Sequence, residues 1–154
     1  MLGNDIVDLD LAKIQSNWRR KNYLNKIFTA EEQLLITSAE RPDEIVWLLW
    51  SMKESAYKIY NRKTGIRNFA PKSLNCSVYA GASEIKGTVT IDHDTYFTKS
   101  DIQLHYIHTI AAPVYSKLEE TKVAIYELPN HPLDYKRTKP DSVSHHGQYL
   151  ALVY

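Results

Sequence analysis

The 154-residue chain has little cysteine, no long apolar run and almost no net charge, and each shortage removes a class of function. One cysteine, Cys76, leaves no internal disulfide and no cysteine-clustered zinc site, which fits a reducing compartment and a packing role for the thiol. No segment approaches the ~18 unbroken apolar residues of a membrane span. The opening MLGNDIVDLD carries acids where a secretory signal would carry basic and then apolar residues, so a cytoplasmic protein with no membrane partner is expected. A formal net charge of +1 provides no global field for nucleic acid, so a charged partner has to be met by a local patch. Internal repeats and low-complexity tracts are also missing. What remains is 44% hydrophobic content, in a length that suits a single domain over residues 1–154 burying roughly two thirds of its unfolded surface.

The chain divides into a helical first part and a strand-rich second part. Gly3 to Leu9 reads as a short strand, because Ile6 and Val7 are β-branched and the apolar run is too brief for a helix. A helix is expected from about Leu11 to Asn22. Phe28-Thr29-Ala30-Glu31-Glu32 has the form of a capping box, with Thr29 and Glu32 satisfying the free amides of a helix through about Ser38. The next helix opens at Arg41-Pro42-Asp43 and draws one buried stripe through Ile45, Leu48, Leu49, Met52, Ala56 and Ile59, ending before Gly65. Then come LNCSVYA, IKGTVTID, a short TYFT, DIQLHYIHTIAAPV and TKVAIYEL, β-rich runs separated by turn residues, which predict an antiparallel sheet. Pro129 to Pro140 is expected to be an exposed loop and SVSHHGQYLALVY a final strand. The fold class is α+β, an antiparallel sheet packed with helices from the N-terminal half.

WSMKESAYK, Trp50 to Lys58, sets two ammonium groups and a carboxylate among aromatic and small residues. Trp50, Glu54 and Lys58 are four apart and share one helix face beside the apolar stripe, flanked by Lys53 and Tyr57. From spacing alone this reads as an intrahelical Glu54–Lys58 pair worth ~0.3–0.5 kcal/mol. Gly3-Asn4-Asp5-Ile6-Val7-Asp8 raises the alternative of a functional site, because an acid in a buried strand needs a cation, a metal or hydrogen bonds.

These segments resemble the 4′-phosphopantetheinyl transferases, in particular the short holo-acyl-carrier-protein synthase type. GNDIVD is similar to the family's G-x-D-I-V-[ED], Phe28 to Glu32 to its F-[TS]-x-x-E, and Trp50 to Lys58 to its W-x-x-K-E-[AS]-x-x-K. Thr64-Gly65-Ile66 matches the T-G-I after that helix, and Ser142-Val143-Ser144-His145 resembles the terminal S-[IV]-S-H strand. The matches cover residues 1–66 and 142–154, while 67–141 is longer than the short type leads one to expect and carries no motif.

The resemblance implies transfer of the phosphopantetheine arm of coenzyme A to a carrier-protein serine, with release of adenosine 3′,5′-bisphosphate. Asp5 and Glu54 are, by motif, the carboxylates for Mg²⁺ (or Mn²⁺), an ion that takes one or two carboxylates and keeps several waters. Lys58 is implied to hold a phosphate oxygen and stabilise the leaving group, which makes Asp5, Glu54 and Lys58 the catalytic candidates. Coenzyme A contacts are implied for Lys53, Lys58, Thr64, Gly65, Ser144 and His145. Longer two-lobed relatives carry a third acid where this chain has Val7, which favours the short type, with water as the remaining ligand. Either water or Glu54 takes the serine proton.

Asp8 has two readings, support for the metal site or a cap on the following helix. His93 in a turn, and His105 and His108 in a strand pattern, read as structural or solvated. Arg19, Arg20 and Lys21, with Lys26, form either a solvated helix face or an electropositive patch for an acidic carrier protein. A homo-oligomer is expected, with a trimer favoured, because short members resemble a trimer whose sites lie between subunits. Asp5 and Glu54 would then come from one chain, and Ser144 and His145 from the next. The alternative function is a non-catalytic module that binds coenzyme A or a carrier protein.

Overall fold

Glycine opens strand β1 (Gly3–Asp8) for a steric reason: a Cβ on Gly3 would collide with the carbonyl oxygen of Ser55. The close approach lets helix α4 (Pro42–Thr64) lie across β1. The structure, a computed structural model, describes residues 1–81 and 84–154. Pro42 begins α4 with Asp43 and Glu44 in the first turn, and Arg62 and Lys63 close the last turn before the Gly65 cap. Leu48, Leu49, Met52 and Ala56 have no exposed surface, and each large side chain among them contributes roughly 1.5–3 kcal/mol through burial.

Helix α1 (Leu9–Gln15) and helix α2 (Tyr23–Ile27) replace the single helix expected from Leu11 to Asn22. The chain turns at Asn22, whose φ of 68° is left-handed. Helix α3 (Ala30–Ser38) carries the capping box as expected: Thr29 Oγ1 accepts the Glu32 amide, and Glu32 Oε1 accepts the Thr29 amide.

Strands β2 (Asn75–Ala80), β3 (Ile85–Ile91), β4 (Asp94–Ile102) and β5 (Tyr106–Ala112) follow in antiparallel pairs. Together with β1 they form a five-stranded sheet in the order β1-β5-β4-β3-β2. The expected short TYFT strand is part of the nine-residue β4. Helix α5 (Tyr115–Glu120), which the sequence did not announce, buries Leu118 completely. Strand β6 (Val123–Glu127) precedes the proline-containing loop, where one 3₁₀ turn covers Tyr135–Thr138.

The terminal run forms two strands, β7 (Ser142–His146) and β8 (Tyr149–Val153), and a second sheet ordered β6-β8-β7. Gly147 makes this turn with φ 55°, and a side chain there would strike the Asp8 carboxylate. Asp8 Oδ2 accepts the Gln148 amide and Oδ1 accepts the Leu11 amide, so Asp8 caps α1 and ties down the β7–β8 turn. Among the described residues no helix is long and apolar enough to cross a membrane.

Candidate active site

Asp5 on β1, Glu54 and Lys58 on α4, and Ser144 and His145 on β7 line one cavity of about 680 Å³. The close approach of Gly3 to the Ser55 carbonyl brings α4 against β1, and Asp5, Glu54 and Lys58 line the cavity together. The intrahelical Glu54–Lys58 pair that spacing allows does not form: no ion pair between them occurs among the described residues. Lys58 Nζ instead donates to the carbonyl oxygens of Asn4 at 2.6 Å and Val143 at 3.3 Å, bridging β1 and β7.

The electrostatics are those of charged groups crowded together and largely buried. Burial pushes the Asp5 carboxyl up to about 7, with Glu54 adding to the rise, while Lys58 and the hydroxyls of Ser144 and Ser51 oppose it. Glu54 is also raised, by burial against the opposing Lys58 charge. Lys58 is lowered by burial, with Asp5 and Glu54 pulling the other way. Ser144 Oγ donates to Asp5 Oδ1 at 3.1 Å, and Asp5 Oδ2 is buried with no protein partner. Two oxygen donors, one with an unsatisfied buried atom and both disfavouring their own charge, fit a hard divalent cation that neutralises them. No cluster of three or more His, Cys, Asp or Glu side chains suited to a metal exists among the described residues, so the protein offers two carboxylates, and water and substrate oxygens would complete the shell.

The remaining candidates separate. Lys53 does not face the cavity. Its Nζ is fully buried and donates to Glu32 Oε1 at 2.7 Å, the Pro71 carbonyl at 2.7 Å and the Leu74 carbonyl at 2.6 Å. All three ammonium hydrogens are spent, which corrects its expected contact with coenzyme A. Thr64 and Gly65 lie outside the cavity lining, roughly 9 Å beyond Lys58 along the helix, and the Thr64 hydroxyl donates to the Tyr60 carbonyl. His145 is exposed at the cavity mouth with its ring edge-on to His131 at 5.4 Å.

Ser144 meets Asp5 within one chain, so the expected division of these residues between two subunits is not how they come together. In the basic group, Arg20 lines the cavity with its guanidinium 5.1 Å from the Tyr23 ring, whereas Arg19 pairs with Asp43 at 3.1 Å and stacks on Trp18. Lys21 and Lys26 are exposed. His105 pairs with Asp10 on the surface, and His108 is buried beside Asn4. His93 follows Asp92, which has φ 53°, in the β3–β4 turn. Sequence reasoning missed Asn4 and Val143, which act through backbone carbonyls that no residue type could announce. It also missed Ser51, whose hydroxyl donates to the Asp5 carbonyl at 3.3 Å.

A family model described as the 4′-phosphopantetheinyl transferase superfamily matches residues 1–115. The chain belongs to that superfamily. The match extends over residues 67–115 of the region without a motif and ends before β6 and β7. Among solved structures, the crystal structure of Thermotoga maritima holo-[acyl-carrier-protein] synthase is similar, with a TM-score of 0.52 at 10% identity, covering 98% of this chain and 81% of that chain. At that identity the likeness is one of fold, and the fold is that of a phosphopantetheinyl transferase. No curated protein matches.

Proposed function

We propose that the protein transfers the 4′-phosphopantetheine arm of coenzyme A to a serine hydroxyl of an acyl or peptidyl carrier protein. The observation that carries this reading is the convergence of Asp5, Glu54 and Lys58 on one cavity of a chain in this superfamily. Mg²⁺, or Mn²⁺ in its place, would be held by Asp5 and Glu54 and would neutralise charge on the pyrophosphate. Lys58 is anchored by two carbonyls and keeps one of its three N–H groups for a phosphate oxygen. The carrier's serine oxygen attacks the phosphorus nearer the pantetheine, the pyrophosphate P–O bond breaks, and adenosine 3′,5′-bisphosphate leaves with the electron pair beside the Lys58 charge. The serine proton passes to Glu54 or to a water held between the two carboxylates. His145 at the mouth suits a contact with the nucleotide end of coenzyme A, and Arg20 suits the acidic surface of the carrier. The homo-oligomer expected of short members is not needed to assemble these residues.

The test is incubation with apo-carrier protein, coenzyme A and Mg²⁺, with chromatographic measurement of both products. Equal yields of modified carrier and adenosine 3′,5′-bisphosphate, abolished by a chelator, are expected. Coenzyme A binding without either product would leave a binding module.

A further inference from the structure

Strand β1 turns its second edge toward β7 without a backbone ladder between them. The outward amides of Leu2, Asn4, Ile6 and Asp8 are each met by a side chain. Leu2 donates to the Asp141 carboxylate, Asn4 to Ser142 Oγ at 3.1 Å, Ile6 to Ser144 Oγ at 3.0 Å and Asp8 to His146 Nδ1 at 2.9 Å. Ser142, Ser144 and His146 alternate along β7, so one face of that strand reads alternate amides of β1. Within this side-chain ladder Ser144 does something Ser142 does not. Having accepted the Ile6 amide, it gives its own hydrogen to Asp5 Oδ1.

We propose that Ser144 is a positioning residue for Asp5, one that fixes Oδ1 and thereby sets the direction in which Oδ2 is presented to a divalent cation. The proposal rests on the cation reading above. A serine hydroxyl has one hydrogen, and here it goes to Asp5. Ser144 is 6% exposed, and holding a phosphate oxygen would require it to release the carboxylate. The coenzyme A contact implied for Ser144 by resemblance therefore competes with the bond it makes. Groups that hold a ligating carboxylate in place are worth roughly 10–100-fold in metal affinity, which sets the expected scale.

Mn²⁺ binding to the full chain, followed by the paramagnetic resonance signal of the free ion, tests this apart from catalysis. Ser144→Ala should weaken Mn²⁺ binding about ten-fold or more and, at saturating metal, leave the KM for coenzyme A little changed. Ser144→Thr, which keeps the hydroxyl on a strand, should restore binding. Ser142→Ala removes a neighbouring amide acceptor of the same ladder but no carboxylate contact, and should bind Mn²⁺ like the wild type. Equal weakening by Ser142→Ala and Ser144→Ala would reduce Ser144 to a structural role and overturn the proposal. So would unchanged Mn²⁺ binding in Ser144→Ala with a raised KM for coenzyme A. Wild-type protein that binds no Mn²⁺ would overturn the cation reading itself, and the proposal with it.

Discussion

Lys53 Nζ lies 2.7 Å from Glu32 Oε1, and the two side chains are 0% and 1% exposed. Glu32 also accepts the amides of Thr29 and Cys76, so this pair joins α3, α4 and the chain entering β2. Lys53→Met should strand a buried carboxylate and destabilise the protein by about 3–5 kcal/mol, read as a lower denaturant midpoint at unchanged slope. The protein that remains folded should keep its KM for coenzyme A. A variant of wild-type stability with a raised KM would return Lys53 to the substrate.

His108 is a buried imidazole whose titration is coupled to folding. Burial pushes its ring down to about 4, opposed by Asp101 and aided by Lys58, and it is 4% exposed. Below the ordinary value near 6.5 the unfolded chain takes up a proton that the native His108 refuses, so this group's contribution to stability falls as pH drops from about 6.5 toward 4, while the raised Asp5 carboxyl contributes with the opposite sign over the same range. The His108 contribution should reach roughly 3 kcal/mol at the lower end. Denaturation of His108→Gln across this range should show the variant gaining stability relative to the wild type as pH falls. The same acid limb in the variant would move the titration to another group.

The basic residues around α1 and α2 should not be equivalent. Arg20→Glu should raise the KM for the carrier protein roughly ten-fold, more at low salt than at high, because this charge faces the cavity. Arg19→Glu breaks a pair with Asp43 and should mainly affect stability. Steady-state kinetics at two ionic strengths separate the two, and matching KM effects would place docking elsewhere.

How much of this was readable beforehand depends on the kind of signal. The α4 stripe and the Thr29–Glu32 box are local signals: the box forms as expected, and the stripe is buried at Leu48, Leu49, Met52, Ala56 and Ile59, with Ile45 only partly buried and Val46 and Trp47 buried beside it. The turn at Gly147 was hidden inside an alternating run that passes for one strand, and the six residues of α5 are too few for a helical period to emerge. Asp5, Glu54 and Lys58 were legible through motifs, and the structure brings them to one cavity. Lys53 was misplaced because the helix pattern cannot tell an inward lysine from an outward one. Its partner Glu32 comes from a different helix, and neither the capping box nor the F-[TS]-x-x-E motif shows that it faces Lys53. The Ser144–Asp5 bond spans 139 positions and has no local trace.

Because Asp5 and Ser144 meet in one chain, subunit mixing should not rebuild a site. Asp5→Ala and His145→Ala, each impaired alone, should show no gain in activity after confirmed exchange of chains. Recovery would require His145 to serve the Asp5 of a neighbouring chain.

The most direct measurement compares Glu54→Gln with the wild type by intact mass of an apo-carrier protein after incubation with coenzyme A and Mg²⁺. The substitution removes one of the two carboxylate charges at nearly constant volume, so it should fold normally and lose at least about 100-fold in rate. Wild-type protein should add the phosphopantetheine mass to the carrier while Glu54→Gln leaves it apo over the same time. Equal mass gain with both proteins, or none with either, would contradict the transfer centre proposed for Asp5, Glu54 and Lys58.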